Sequence, residues 1–201
     1  MGAIMKIYIV LTHTGTMLSN IIKFYTKCEF SHVSISLDKE LEHMYSFGRK
    51  NPYNPFWGGF IHEELEKGTF KRFRNTYSVV YSLNIEERQY EIIKYLINKF
   101  NANINKYKFN TIGLFAVAMQ IRIKRKMYFY CAEFVKYLLD TSNIQNNLPK
   151  IIKPEDFKRL NNIHEIYKGR LSDYKRKLKS ENKIIYVQQS LLSINKKLKK
   201  L

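Results

Sequence analysis

The chain has 201 residues and a formal net charge of +18. This length is sufficient for one domain with a hydrophobic core, and the 45% of hydrophobic residues excludes a generally disordered protein. The positive charge favours polyanionic partners such as nucleic acid, anionic lipid or an acidic polymer.

The N-terminal residues predict a strand rather than a targeting segment. The apolar run from Lys6 to Leu11 is too short for a secretory signal, and position 6 does not fit the myristoylation pattern. No run approaches the roughly 20 apolar residues of a membrane span. Two cysteines are too few for a disulfide framework, so we expect a cytoplasmic protein with reduced thiols.

A short helix and a strand that carries a histidine are predicted next. Thr16 or Ser19 suits the cap of a helix that continues to Tyr25, and His13 lies in the loop before it. Between Phe30 and Asp38, apolar residues alternate with small or polar ones, which is typical of a half-buried strand. The alternation places three polar residues on one face: His32, Ser34 and Ser36.

The residues after this strand predict a second strand that runs antiparallel to it. Asp38 begins a polar turn, and the segment 41–47 is expected to pair with the histidine strand. If Asp38 faces Leu41, the pairing places Tyr45 and His43 on the face of His32. A shift of one residue would place Ser46 there instead.

The segment from Gly48 to Gly59 is rich in turn formers and aromatic residues, and it is interpreted as a loop. This loop, which contains Trp57, is either a wall of a substrate site or an Ω-like loop packed on its own rings. His62, Glu63 and Glu64 follow, but no closely spaced ligand pair accompanies them, so no metal site is predicted.

The middle of the chain predicts scaffold elements. The segment 76–83 reads as a strand, and Asn84 is expected to cap a helix over 86–100 with one apolar stripe. A second, more apolar helix is predicted over 107–123. Its basic end, Arg122 to Lys126, is interpreted as complementing the helix C-terminus rather than as part of a cleft.

Cys131 is the strongest candidate for a chemical role. Aromatic residues precede it, and apolar residues recur after it at helical spacing, so Cys131 is expected in the first turn of a buried helix. The N-terminus of a helix stabilises the thiolate, which is the nucleophilic form of cysteine. His32 is the best candidate for its base, whereas Cys28 is interpreted as a packing residue. The alternative for Cys131 is a buried structural thiol.

Two motifs carry a resemblance to a known family. Ser31-His32-Val33 and the later Tyr130-Cys131-Ala132-Glu133-Phe134-Val135 resemble the circularly permuted branch of the NlpC-type papain-like cysteine hydrolases, in which the histidine strand precedes the cysteine helix. The likeness covers about residues 6–170, and Ala132 departs from the serine that is frequent there. It implies an α+β, papain-like fold in which a small antiparallel sheet packs against helices, one of them carrying the catalytic cysteine at its N-terminus. The Ile-x-Pro-Glu-Asp-Phe segment at 152–157 resembles a segment often found downstream of the cysteine in this branch.

The resemblance also implies a set of site residues. Cys131 would be the nucleophile and His32 the base, and a third polar residue from the returning strand would orient the histidine. Because no Asp, Asn or Gln occupies the expected place, Tyr45 is the first choice, Ser46 the second and His43 the third. The predicted substrate contacts are His13, Tyr130 and Trp57, and this chemistry needs no cofactor or metal.

The implied function is a cysteine hydrolase that acts on an amide or peptide bond, such as that of a cell-wall peptide, by acyl transfer. A lipid acyltransferase or hydrolase is one alternative. Another is a catalytically silent papain-like binding module that uses its basic C-terminal region. The predicted organisation is a hydrolase domain over 1–170 and a basic extension over 171–201. The extension is predicted to contain a strand at 183–189 and a helix from Leu191. Residues 168–201 would contact a polyanion or an anionic membrane.

Overall fold

The computed structural model describes residues 3–15, 19–20, 24, 28–51 and 54–198. The strands are β1 Ile4–His13, β2 His32–Ser36, β3 Met44–Asn51, β4 Asn54–Glu63, β5 Tyr77–Glu86, β6 Lys108–Phe109, β7 Tyr128–Phe129 and β8 Ile163–Arg170. The helices are α1 Gly68–Arg72, α2 Glu87–Ala102, α3 Thr111–Ala118, α4 Cys131–Thr141 and α5 Tyr174–Leu198, and two short 3-10 helices cover Pro154–Arg159 and Leu171–Asp173. The protein is therefore of the α+β class, with an antiparallel sheet packed against helices.

The main sheet has the strand order β4-β3-β2-β1-β5-β8, and every neighbouring pair in it is antiparallel. β1 lies inside the sheet between β2 and β5, and both of its faces are buried. Its alternate residues enter two different cores, with Ile9 in one and Val10 in the other. A strand buried on both faces has a continuous apolar sequence, which is why the run from Lys6 to Leu11 predicted β1 correctly.

Each face of the sheet supports its own core. Helices α2 and α4 pack on the first face, where Phe47, Phe100 and Phe134 form a cluster of ring contacts. The second face is covered by Phe70 of α1 and by Tyr174 and Leu178 at the start of α5. The histidine strand and the cysteine helix thus belong to one layered unit.

The hairpin of β3 and β4 corrects the predicted loop over 48–59. Gly48 pairs with Gly59 and Arg49 with Gly58, so much of this segment is sheet. Glycine is required where the backbones approach closely: a Cβ on Gly58 would lie 2.6 Å from the carbonyl oxygen of Gly48. The glycines that suggested a loop are therefore the residues that permit close strand packing.

Two predicted helices are placed differently. Asn84 belongs to β5, and α2 begins after Glu86, whose N–H donates to the Gln89 side chain at 3.0 Å. The helix predicted over 107–123 is limited to Thr111–Ala118. Asn110 caps its first turn through a 3.0 Å hydrogen bond from the N–H of Gly113.

The C-terminal region also differs from the prediction. Residues 183–189 belong to the helix α5 rather than to a strand. Its first turns pack on the sheet, and the Tyr174 hydroxyl donates to the carbonyl of Lys39 at 2.7 Å. Most of the helix predicted between Thr16 and Tyr25 lies outside the described residues, as do residues 199–201. Among the described residues, no helix combines the length and apolar character needed to cross a bilayer.

Candidate active site

Cys131 is the first residue of α4, as the sequence predicted. The carboxylate of Glu133 accepts a hydrogen bond from the N–H of Tyr130 at 3.4 Å, which closes the first turn. Phe134, Val135 and Leu138 bury the helix against the sheet. Cys131 is 3% exposed and lines the same cleft as His32, whose pKa it helps to raise.

His32 begins β2, and a carboxylate lies on the other side of its ring. The Nε2 atom of His32 is 3.1 Å from Oε1 and 3.2 Å from Oε2 of Glu63. Cys131 lines the same cleft as His32 and Glu63. The side chain of Ser34 also donates a hydrogen bond to Glu63 and so fixes the carboxylate that holds the histidine. These contacts form a Cys131-His32-Glu63 triad.

His32 and Glu63 shift each other's pKa. Burial alone would lower the pKa of His32, but the charge of Glu63 and the hydrogen bonds with Cys131 and Glu63 outweigh burial and raise the pKa to about 10. Burial would raise the pKa of Glu63, yet the charge of His32 and the hydrogen bonds from His32 and Ser34 lower it. Near neutral pH the pair is therefore a carboxylate and an imidazolium, with the imidazolium next to the sulfur.

Glu63 reaches the site through the register of three strands. Ser36 pairs with Met44, and Met44 pairs with Glu63. Paired residues share a face of the sheet, and alternate residues along β2 share that face too, so Glu63 lies on the face of Ser34 and His32. The sequence analysis mentioned Glu63 only as a rejected metal ligand.

The register prediction for the returning strand is wrong by one residue. Tyr45 pairs with Ile35 and stacks against Phe60 and His62, on the opposite face from His32. Ser46, the second choice, lies on the face of His32, as the shifted register predicted, but it is buried and donates to the carbonyl of Val33 at 2.7 Å. His43, the third choice, contacts His62 instead, with their ring nitrogens 3.1 Å apart. The structure therefore places Glu63, and none of these three residues, beside His32.

The predicted substrate contacts fall in different places. His13 ends β1 and lies 3.4 Å from the Ser31 hydroxyl, one residue from His32. Tyr130 is a core residue rather than a cleft wall, because it is buried and its hydroxyl donates to the carbonyl of Ile152 at 3.0 Å. The side chain of Trp57, in β4, lies outside those that the structure describes.

The segment 152–157, which the sequence singled out, supports the approach to His32. The carboxylate of Glu155 accepts hydrogen bonds from the N–H groups of Glu29 and Phe30, at 3.0 and 3.2 Å. Lys158 forms an ion pair with Glu29 at 2.9 Å, and its ammonium lies 4.6 Å from the centre of the Phe30 ring. The 3-10 helix at 154–159 thus clamps the chain immediately before β2.

A cleft of about 70 Å³ opens onto the triad. Cys131, His32 and Glu63 line it. Arg49 also lines it, as do Phe109, which precedes α3, and Leu114 of α3. No group of three or more His, Cys, Asp or Glu side chains in the described part of the chain is placed to hold a metal ion. The arrangement is a buried thiol, an imidazolium and a carboxylate at the end of a narrow opening.

Comparisons with known proteins give no family assignment. A scan against protein-family models found no match, and a search of curated proteins found none either. The geometry of the triad and the chemistry of its residues are therefore the basis for inferring a function.

Gly48 provides the space in which the His32 ring lies, and Gly48→Ala tests this. The added Cβ would lie 3.3 Å from Cε1 of His32 and 2.8 Å from Cδ1 of Ile61. We expect a loss of about 1 kcal/mol in the free energy of unfolding and a roughly threefold to tenfold slower alkylation of Cys131 by iodoacetamide. The double variant Gly48→Ala/Ile61→Val relieves only the Ile61 contact. If it restored the wild-type alkylation rate, crowding of His32 would not be the cause.

Proposed function

We propose that this protein is a cysteine hydrolase that cleaves an amide or peptide bond by acyl transfer through Cys131, His32 and Glu63. The observation that carries the proposal is that His32 lies 3.1 Å from the Glu63 carboxylate and shares one cleft with Cys131, which helps to raise the pKa of His32. A structural thiol has no need for an imidazolium held by a carboxylate. Buried ionisable groups that shift each other's pKa next to a nucleophile are typical of functional sites.

The reaction follows from the charges of the triad. The Cys131 thiolate attacks the substrate carbonyl carbon, and the N–H groups of the first turn of α4 lie where the oxyanion develops. His32 gives its proton to the leaving amine, and a thioester forms on Cys131. The neutral imidazole then takes a proton from water, and the resulting hydroxide attacks the thioester. The acid product leaves, Cys131 returns as thiolate, and His32 is again an imidazolium.

The order of the motifs supports a finer assignment within the same proposal. The histidine strand precedes the cysteine helix, and the α+β layers place a sheet against that helix, as in circularly permuted NlpC-type papain-like hydrolases. A catalytically silent binding module was an alternative because no third residue was evident in the sequence. Glu63 beside His32 removes that reason and favours the hydrolase.

The test is the capture of an acyl group on Cys131. The protein is mixed with a panel of activated amide, ester and thioester acyl donors, quenched in acid and analysed by peptide mass spectrometry. We expect a thioester on Cys131 that hydroxylamine removes, none in Cys131→Ala, and a normal yield in Cys28→Ala. If no donor acylates wild-type Cys131, or if Cys28 is acylated instead, the proposed function is wrong.

A further inference from the structure

Helix α3 is apolar on all sides although it lies at the surface. Its inner residues, such as Leu114 and Val117, belong to the first core. Its outer residues Ile112, Phe115 and Met119 are spaced three and four positions apart, which aligns them along one side of the helix, and they are 57%, 40% and 67% exposed. A surface helix normally carries polar residues on that side, and a contiguous exposed apolar patch marks an interaction surface.

A run of basic residues follows this stripe directly. Arg122, Lys124, Arg125 and Lys126 are exposed, and no acidic residue occurs between positions 111 and 132. With α4, the run borders a groove of about 350 Å³ that Lys136 and Lys150 also line. The acidic residues of the groove are Glu133, which caps α4, and Asp140, which pairs with Lys136 at 3.1 Å. The groove therefore carries a clear excess of positive charge.

The backbone holds the stripe and the basic run in a fixed relation. The N–H of Gln120 donates to the carbonyl of Val117 at 3.0 Å, and that of Ile121 donates to Ala116 at 2.9 Å, with Gln120 at φ 57°. This is the hydrogen-bond pattern of a Schellman cap. The side-chain amide of Asn110 donates to the carbonyl of Ile123 at 3.0 Å and ties the basic run to the start of the helix. These hydrogen bonds hold the segment in a defined conformation.

We infer that this surface, which we call the apolar–basic surface (Ile112, Phe115, Met119, Ile121 and Arg122 to Lys126), docks the protein on an anionic lipid bilayer. Apolar side chains enter the boundary between headgroups and acyl chains, and lysine and arginine bind the headgroup phosphates. Charge complementarity selects this occupant. A second copy bound across a two-fold axis would bring two basic runs together. Single-stranded nucleic acid stacks on free aromatic rings, but the Tyr128 ring in the groove is covered by Arg125 at 3.7 Å, and three of the four apolar residues of the surface, Ile112, Met119 and Ile121, are not aromatic.

The docking surface differs from the basic C-terminal extension that the sequence suggested, and it does not depend on the proposed hydrolase chemistry. It does have a fixed position relative to the cleft. Leu114, on the inner side of α3, lines the cleft with Cys131. Docking through the outer side of α3 therefore brings the cleft close to the bilayer.

The test is sedimentation of the full-length protein with vesicles of phosphatidylcholine alone or mixed with phosphatidylglycerol. We expect binding to the anionic vesicles and little binding to the neutral ones. Ile112→Ser/Phe115→Ser/Met119→Ser and Arg122→Gln/Lys124→Gln/Arg125→Gln/Lys126→Gln are each expected to weaken binding by about tenfold or more. All the changed side chains are exposed, so circular dichroism should show that both variants are folded.

Matched controls remove the same kinds of side chain elsewhere. Arg88→Gln/Lys94→Gln/Lys99→Gln/Lys106→Gln removes four exposed charges, and Ile4→Ser/Tyr95→Ser removes exposed apolar side chains. Both controls and Cys131→Ala should bind as the wild type does. The inference is overturned if the wild type does not bind anionic vesicles, or if the controls lose as much affinity as the surface variants. It is also overturned if only the variant without the basic residues loses affinity and RNA displaces the vesicles. It is also overturned if the serine variant converts a dimer to a monomer without changing vesicle binding.

Discussion

Replacing His32 with Gln is expected to slow the alkylation of Cys131 by iodoacetamide by at least about tenfold near neutral pH. A positive charge next to a cysteine increases the reactivity of its sulfur. Glutamine can still donate a hydrogen bond to Glu63 but carries no charge. In the wild type the advantage should fade as the pH rises through about 10, where His32 loses its proton.

The control for this experiment is another histidine at the same end of the sheet. His13 lies 3.4 Å from the Ser31 hydroxyl, whereas His32 shares the cleft with Cys131, so His13→Gln should leave the alkylation rate within about twofold of the wild type. Peptide mass spectrometry separates labelling of Cys131 from labelling of Cys28. Equal rates in the wild type and His32→Gln would mean that the imidazolium does not activate the thiol, and the hydrolase proposal would lose its base.

Replacing Glu63 with Gln is expected to lower the free energy of unfolding by about 3 kcal/mol near neutral pH. The side chains of His32 and Glu63 are only 19% and 10% exposed, so the loss of the carboxylate leaves a largely buried histidine whose charge burial disfavours. We also expect the rate of acyl transfer to fall on the order of a hundredfold, since the variant loses both the imidazolium and its orientation.

The pH dependence of this loss has a defined direction. The folded state raises the pKa of His32 from 6.5 to about 10, so this contribution is fully present below pH 6.5 and is lost as the pH rises to about 10. The folded state lowers the pKa of Glu63, so that contribution is lost as the pH falls through the lowered value. The free energies of unfolding of the wild type and of Glu63→Gln, measured with urea, should therefore differ most between the lowered pKa of Glu63 and the raised pKa of His32. The two values should converge at more acidic and at more basic pH.

Tyr45→Phe is the matched control for Glu63→Gln. The Tyr45 ring stacks on Phe60 and His62, away from His32, so the loss of its hydroxyl should leave the acyl-transfer rate within about twofold of the wild type. A large loss of activity in Tyr45→Phe together with full activity in Glu63→Gln would restore the third residue that the sequence suggested.

The elements that the sequence predicted correctly are those whose signal is local. β1 is a continuous apolar run, β2 alternates small and apolar residues, and α4 repeats apolar residues at helical spacing after Cys131. These patterns were sufficient to propose Cys131 and His32 as partners because each residue lies at the start of a well-marked element. The same patterns predicted the antiparallel return after Asp38, whereas the α+β class came from the family resemblance.

The third residue of the triad was not predictable in this way. Its position depends on two strand registers in series, from Ser36 to Met44 and from Met44 to Glu63. A shift of one residue in either register reverses the face, and the turn at Asp38 did not define the first register. The second register was not considered, because the glycines of β3 and β4 read as a loop. A search for carboxylates at the far end of a glycine-rich hairpin would have found Glu63.

The clamp of Glu155 and Lys158 on Glu29 and Phe30 has a consequence for the order in which the protein matures on the ribosome. About 120 residues separate His32 from this clamp, so at roughly 5–20 residues per second the nascent chain exposes His32 for about 6–25 s before the clamp exists. Cys131 is translated in the same interval, but the clamp does not yet hold the chain before β2, the strand that carries His32. We expect the thiol of Cys131 in newly made chains to become reactive only after the clamp has been translated.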